Sequence, residues 1–127
     1  METTESPHDV RTTADRAQGA LQARGVEMFG RIDHGAGARA SGLELGDEEV
    51  LVFGDPRVGT LLMQSDPAVG YELPLRLVFW HAGGRTLVGY QPPSELAKTY
   101  DVAERAAVLE GMGKLLEQVV AESVASD

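Results

Sequence analysis

The sequence predicts an α+β domain, a mostly antiparallel sheet packed against a long C-terminal helix and an N-terminal helix. Three observations carry this. Ala82-Gly83-Gly84-Arg85 is a hairpin turn between two apolar runs, Leu75–His81 and Thr86–Tyr90. Val50–Phe53 is a further apolar run, bounded by acids and by Gly54. Near the end, Ala106, Leu109, Met112, Leu116, Val119 and Val120 recur at helical spacing, while Glu104, Arg105, Glu110, Lys114 and Glu117 take the other face.

Each element has a local reason. Residues 1–10 are polar and read as a flexible tail, residues 11–122 as the domain, and residues 123–127 as a frayed end. A first helix is capped by Thr12 or Thr13, carries Ala17, Ala20 and Leu21 on one face, and stops at Gly25. Gly19 weakens its middle by roughly 1 kcal/mol relative to Ala. Val26–His34 alternates as a strand, with Val26, Met28, Gly30 and Ile32 on one side and Glu27, Phe29, Arg31 and Asp33 on the other. The small residues from Gly35 to Gly42 suit a short, closely packed helix, and Leu43–Glu49 a connecting loop. Val50–Phe53 reads as a buried central strand. Asp55-Pro56 suits the first two positions of a type I turn. Val58–Met63 fits a helix or a strand, and Gln64–Gly70 a loop. Ser94–Lys98 looks like a short capped helix, and Asp101 caps the last one.

Composition narrows the function classes. The chain has 127 residues, enough for one core, and no cysteine, which removes thiol nucleophiles, thiolate zinc sites and redox pairs. The net charge is −9, from 20 acids against 11 bases, so a polyanion meets mostly repulsion and nucleic acid is not the expected partner. There is no signal-peptide pattern at Met1–Val10 and no run long enough for a bilayer span. The expectation is a soluble cytoplasmic protein with no membrane partner.

Chemistry could gather at three places. Asp33-His34-Gly35 offers a titratable imidazole beside a carboxylate, although strand neighbours point to opposite faces and a helix cap explains them more simply. Gly35-Ala36-Gly37 could present free N–H groups to an anion, but lacks both the Lys-Ser/Thr of a phosphate loop and the third glycine of a dinucleotide site. Gly54–Thr60 follows a strand, with Asp55 as base or ligand, Arg57 as anion partner and Thr60 as donor; a turn made from turn-forming residues is the simpler account. His34, His81, Asp33 and Asp55 have no metal-ligand spacing, so no metal and no cofactor is expected.

At these same residues the chain resembles a known family. Phe29-x-x-Ile32-Asp33-His34-x-x-x-Ala38, then Val52-Phe53-Gly54-Asp55-Pro56-x-x-Gly59-Thr60-x-Leu62-Met63, then Glu72-Leu73-Pro74-Leu75, then a strand and Tyr90, are similar to the domain of unknown function 302 family. The resemblance implies a TATA-box-binding-protein-like fold, a curved antiparallel sheet with the long C-terminal helix across it, and a homodimer. It supplies no activity. Its recurring residues fall here on Asp33, His34, Gly54, Pro56, Gly59, Thr60, Met63 and Pro74. Asp55 replaces the family's usual Asn and Glu72 its usual Asp, and the usual first strand is replaced by the polar tail.

The leading expectation is a non-enzymatic homodimer that binds a small apolar or anionic molecule between sheet and long helix, using His34, Gly54, Asp55, Gly59, Thr60 and Met63. The alternatives are an enzyme with His34 as general acid or base oriented by Asp33 or Asp55, and a structural or partner-binding module.

Overall fold

The computed structural model describes Met1–Asp127. Nine regular elements follow in order: β1 (Glu2–Ser6), α1 (Val10–Ala23), β2 (Glu27–Asp33), α2 (His34–Ala40), β3 (Glu48–Gly54), α3 (Pro56–Ser65), β4 (Leu75–Ala82), β5 (Arg85–Tyr90) and α4 (Ala106–Ser123). Short 3-10 turns occupy Pro67–Glu72, Pro93–Lys98 and Ala103–Arg105. The five strands form one open antiparallel sheet in the order β1-β5-β4-β3-β2. The α+β class holds.

The polar tail is instead an edge strand. β1 pairs along β5 from Glu2↔Tyr90 to Ser6↔Thr86. An edge strand needs backbone partners more than apolar side chains, so hydropathy could not reveal it. Only its last residue is buried; Ser6 shares a 2.7 Å hydrogen bond with Thr13. The C-terminal residues are also held. Arg16 pairs with Asp127 at 2.8 Å, and His8 Nε2 donates to the Ala125 carbonyl at 2.7 Å.

Helix α1 starts one turn before either expected threonine. Asp9 is its cap, accepting from the Thr12 N–H at 2.7 Å. Its far end closes at Gly25, whose φ is +72°. The Gly25 N–H bonds the Gln22 carbonyl and the Val26 N–H the Leu21 carbonyl, the two bonds of a Schellman stop. Between these ends, Val10, Ala14, Ala17 and Leu21 are buried. They pack with Leu116, Val119 and Val120 of α4 on Leu51, Phe53, Leu77, Phe79 and Val88 of the sheet.

Only one sheet face is covered in this way. β3 alternates buried Glu49, Leu51 and Phe53 with half-buried Val50 and Val52, so it is not buried on both faces as the apolar run suggests. On the uncovered face the Trp80 ring lies over Gly89, where an added Cβ would sit 3.1 Å from it.

β2 departs from simple alternation. Its register to β3 shifts between Met28 and Gly30, a bulge at Phe29. Met28 still reaches the core, but Arg31 now turns towards α1. Its guanidinium donates to Glu49 at 2.7 Å, Asp15 at 2.6 Å and Gln18 at 3.0 Å. The hydrogen bond to Glu49, ahead of the one to Asp15, raises the Arg31 pKa.

A second buried cluster, Leu62, Val69, Val102, Leu109 and Met112, ties α3 and the Pro67–Glu72 turn to α4. Asp66 braces it, accepting from the Ala68 N–H at 3.1 Å and the Asp101 N–H at 2.9 Å. Asp101 therefore does not cap α4; that helix grows from the Ala103–Arg105 turn with no side-chain cap. Ser94 does not cap its segment either, which is 3-10 behind Pro92 and Pro93.

The Asp9 cap makes a testable contribution. Its hydrogen bonds with Thr12 lower the carboxyl pKa below its ordinary value. A depressed carboxyl stabilises the fold above its unfolded pKa, and the contribution is lost as pH falls through the folded value. Asp9→Ala should cost about 1 kcal/mol in urea unfolding at pH 7, and the difference from wild type should shrink below about pH 4.

Candidate functional site

The chain turns from β3 into α3 at the end of the sheet. Asp55 caps α3, accepting from the Arg57 N–H at 2.9 Å, and Pro56 takes the first helical position. The same Asp-Pro pair that suits a turn here opens a helix, which settles Val58–Met63 as helical. Arg57 folds back on the cap, its Nε 3.1 Å from Asp55 Oδ1 and its Nη2 3.0 Å from Oδ2. These bonds hold the Asp55 carboxyl below the usual carboxylate range and raise Arg57 in turn.

Behind this turn lies a cavity of about 620 Å³ between α3, α4 and the sheet end. Val58, Met63, Leu73, Met112 and Leu115 make its apolar walls. Pro74 and Leu73 pack onto this turn: a Cβ at Gly54 would lie 3.6 Å from Pro74, and one at Gly59 would lie 3.5 Å from Leu73, both ordinary contacts. The peptide bond from Leu73 to Pro74, also in the wall, is cis. Asp55 is the sole charged residue of the lining.

Four of the six expected binding residues therefore line one cavity: Gly54, Asp55, Gly59 and Met63. Two do not. Thr60 points its hydroxyl back to the Pro56 carbonyl at 2.6 Å. His34 stands at the other end of the β2–β3 pair, beyond Asp33↔Glu49, while Asp55 lies beyond Glu27↔Gly54. That length of strand is roughly 20 Å at about 3.3 Å per residue. Asp33 is occupied as the cap of α2, accepting from the Ala36 N–H at 2.8 Å. No carboxylate is hydrogen-bonded to His34, so the acid–base arrangement with Asp33 or Asp55 is not formed.

His34 borders a different cavity, of about 670 Å³, with Ile32, Val50, Arg76, Glu72 and Tyr100 among its lining. The Tyr100 hydroxyl donates to Glu72 at 3.4 Å, and burial, reinforced by the Glu72 charge, raises the tyrosine pKa. This cavity is more polar than the first and holds one of the expected residues. No group of three or more His, Asp or Glu side chains is placed to hold a metal ion.

Sequence reasoning missed two parts of the first site. Phe29 is 50% exposed and lies in its lining because the bulge turns it out of register. Gly111, also in the lining, interrupts α4, where glycine is costly. Two glycines inside one amphipathic helix are a visible signal, and counting only apolar spacing overlooks it.

An open antiparallel sheet, two helices on one face and an apolar cavity at the sheet end define a small α+β scaffold. The chain belongs to the family described as domain of unknown function DUF302, whose model matches residues 2–122. A crystal structure of an uncharacterized conserved DUF302 protein from Bacillus stearothermophilus superposes with a TM-score of 0.74. It covers 97% of this chain and 94% of that one at 19% identity, a likeness of fold. Among curated proteins, the chain is 38% identical over 113 residues to proteins named fluoride-specific ion channel FluC 1 from Brucella suis and from Brucella abortus. The matches cover 84% of this chain and only 44% and 42% of those proteins. The chain thus spans less than half the length of the curated relatives it matches. No helix here is long and apolar enough to cross a membrane.

The two α4 glycines give a stability test. At Gly111 and at Gly113 an added methyl would meet nothing within 4 Å. Gly111→Ala and Gly113→Ala should each raise the free energy of unfolding by up to about 1 kcal/mol, measured in urea. A loss of stability at either position would show that the bare backbone is needed for packing.

Proposed function

We propose that this protein is a non-enzymatic binding module that holds a small, mainly apolar molecule in the cavity between α3, α4 and the end of the sheet. The observation that carries it is the cavity itself. Its volume of about 620 Å³ falls in the range of small-molecule sites, and its lining is apolar apart from Asp55 and backbone. The Gly54–Met63 segment supports the reading because its glycines, its cap and its apolar helix face all converge on that one space.

The reading includes a homodimer. The sheet face opposite the two long helices carries Val50, Val52, Val78, Trp80 and the 47% exposed Ile32; neither long helix covers it, and the Gln91–Tyr100 segment borders only part of it. A second copy laid on this face would bury it. A reducing cytoplasm is the compartment we assign, and a chain without cysteine folds there without loss.

Native mass spectrometry of protein purified from its own host, set against its denatured mass, tests both parts. The expected result is a dimer carrying one added small molecule per chain. Met63→Trp, which sets a bulky ring in the cavity wall, should remove the added mass, and Ile32→Lys should give a folded monomer. A bare protein that also shows no thermal shift with uncharged apolar compounds would end the binding assignment.

A second reading follows from the curated relatives. We infer that their channel activity resides in the half or more of their length that this chain does not span, and that the shared domain serves beside it. Deleting the gene for this chain should then raise its host's sensitivity to fluoride. Unchanged growth across a fluoride series would remove that link.

A further inference from the structure

We propose that the entrance to the α3–α4 cavity is made by Phe29 and the bare backbone of Gly111, and that it admits an uncharged ligand. This rests on the binding function proposed above and adds the ligand's charge class and the residues that select it.

The charge argument comes from the lining. An anion entering the cavity would meet the Asp55 carboxylate and no cation, on a chain whose net charge is −9. An ammonium group would find Asp55 already engaged, with Arg57 nitrogens at 3.1 and 3.0 Å from its two oxygens. Arg57 itself is outside the lining. A neutral apolar molecule loses nothing at either group.

The entrance argument comes from two residues that the fold does not need as they are. Phe29 is a large aromatic side chain left half exposed by a bulge, and bulges beside sites commonly re-aim one side chain. Its ring edge lies against the Gly54 end of the cavity, 3.8 Å from where a Cβ would sit there. Gly111 is exposed, helical and in the same lining. Its φ is not positive and nothing lies within 4 Å of a Cβ placed on it, so neither conformation nor packing calls for glycine. What its missing side chain leaves is open space at the mouth. Gly113, two residues on, has the same freedom but lines a different groove, and so serves as a control.

Fluorescence titration of the full chain with two probes tests this. N-phenyl-1-naphthylamine is uncharged; 1-anilinonaphthalene-8-sulfonate is the same skeleton with a sulfonate. Wild type should bind the neutral probe at least tenfold more tightly than the anionic one. Gly111→Leu should weaken the neutral probe at least tenfold with no fall in melting temperature, Phe29→Ala should weaken it several-fold, and Gly113→Leu should bind as wild type does. Met63→Trp separates the two levels of the argument. If it abolishes binding and Gly111→Leu does not, the cavity stands and the entrance assignment falls. If neither changes binding, or no probe binds, the cavity reading falls with it. Equal affinity for both probes overturns the charge class. A change of oligomeric state in Gly111→Leu, without loss of probe, would assign the mouth to a second copy of the chain instead.

Discussion

The fold depends on one helix reaching from edge to edge of the sheet. β1 and β2 are consecutive strands, yet they lie at opposite edges, and α1 is the connection between them. It must cross the sheet, so its inner face has to be small enough to lie close and apolar enough to seal. Ala14 and Ala17 supply the first property, Val10 and Leu21 the second, and all four are buried. The Asp9 cap and the Gly25 stop fix where that crossing begins and ends. Helix α4 then fills the remaining width with Leu116, Val119 and Val120.

This arrangement decides where a site can be. Two helices over five strands cover one face and leave the other to the Gln91–Tyr100 segment that borders it. Near Gly54, at the end of the sheet, α1 stops and the chain turns through Val26 into β2. There the chain adds α3 and the Pro67–Glu72 turn, which are anchored to α4 by Leu62, Val69 and Met112 rather than pressed onto the strands. The space between this annex and the sheet is the apolar cavity. Its shape is set by residues from six elements: β2, β3, α3, the Pro67–Glu72 turn, β4 and α4.

Much of this was legible in the residues and some was not. The glycine hairpin at Gly83-Gly84, both with positive φ, and the apolar stripe of α4 are local signals, and they gave the class. The Gly54–Met63 segment could be singled out because a strand end, a cap and glycines coincide there. β1 was hidden because backbone pairing leaves no mark on the polarity of an edge strand. The β2 bulge was hidden because one skipped pairing reverses the faces of all later residues, and no residue type announces it. Grouping His34 with Asp55 failed for a related reason. The two motifs flank opposite ends of one antiparallel strand pair, so closeness of kind did not become closeness in space.

The ties between the two ends of the chain have a consequence for how it can be joined to others. His8 holds the Ala125 carbonyl and Arg16 holds Asp127, so the first helix and the last few residues meet at one corner of the domain. A sequence continuing past Asp127 leaves from that corner, away from the cavity beside Gly54, whereas Met1 lies at the far end of β1, next to the Glu2↔Tyr90 pair. The domain therefore has two attachment points, at opposite ends of its sheet. A polypeptide joined after Asp127 stays clear of the cavity, whereas one joined before Met1 leaves from the same end of the sheet as Gly54.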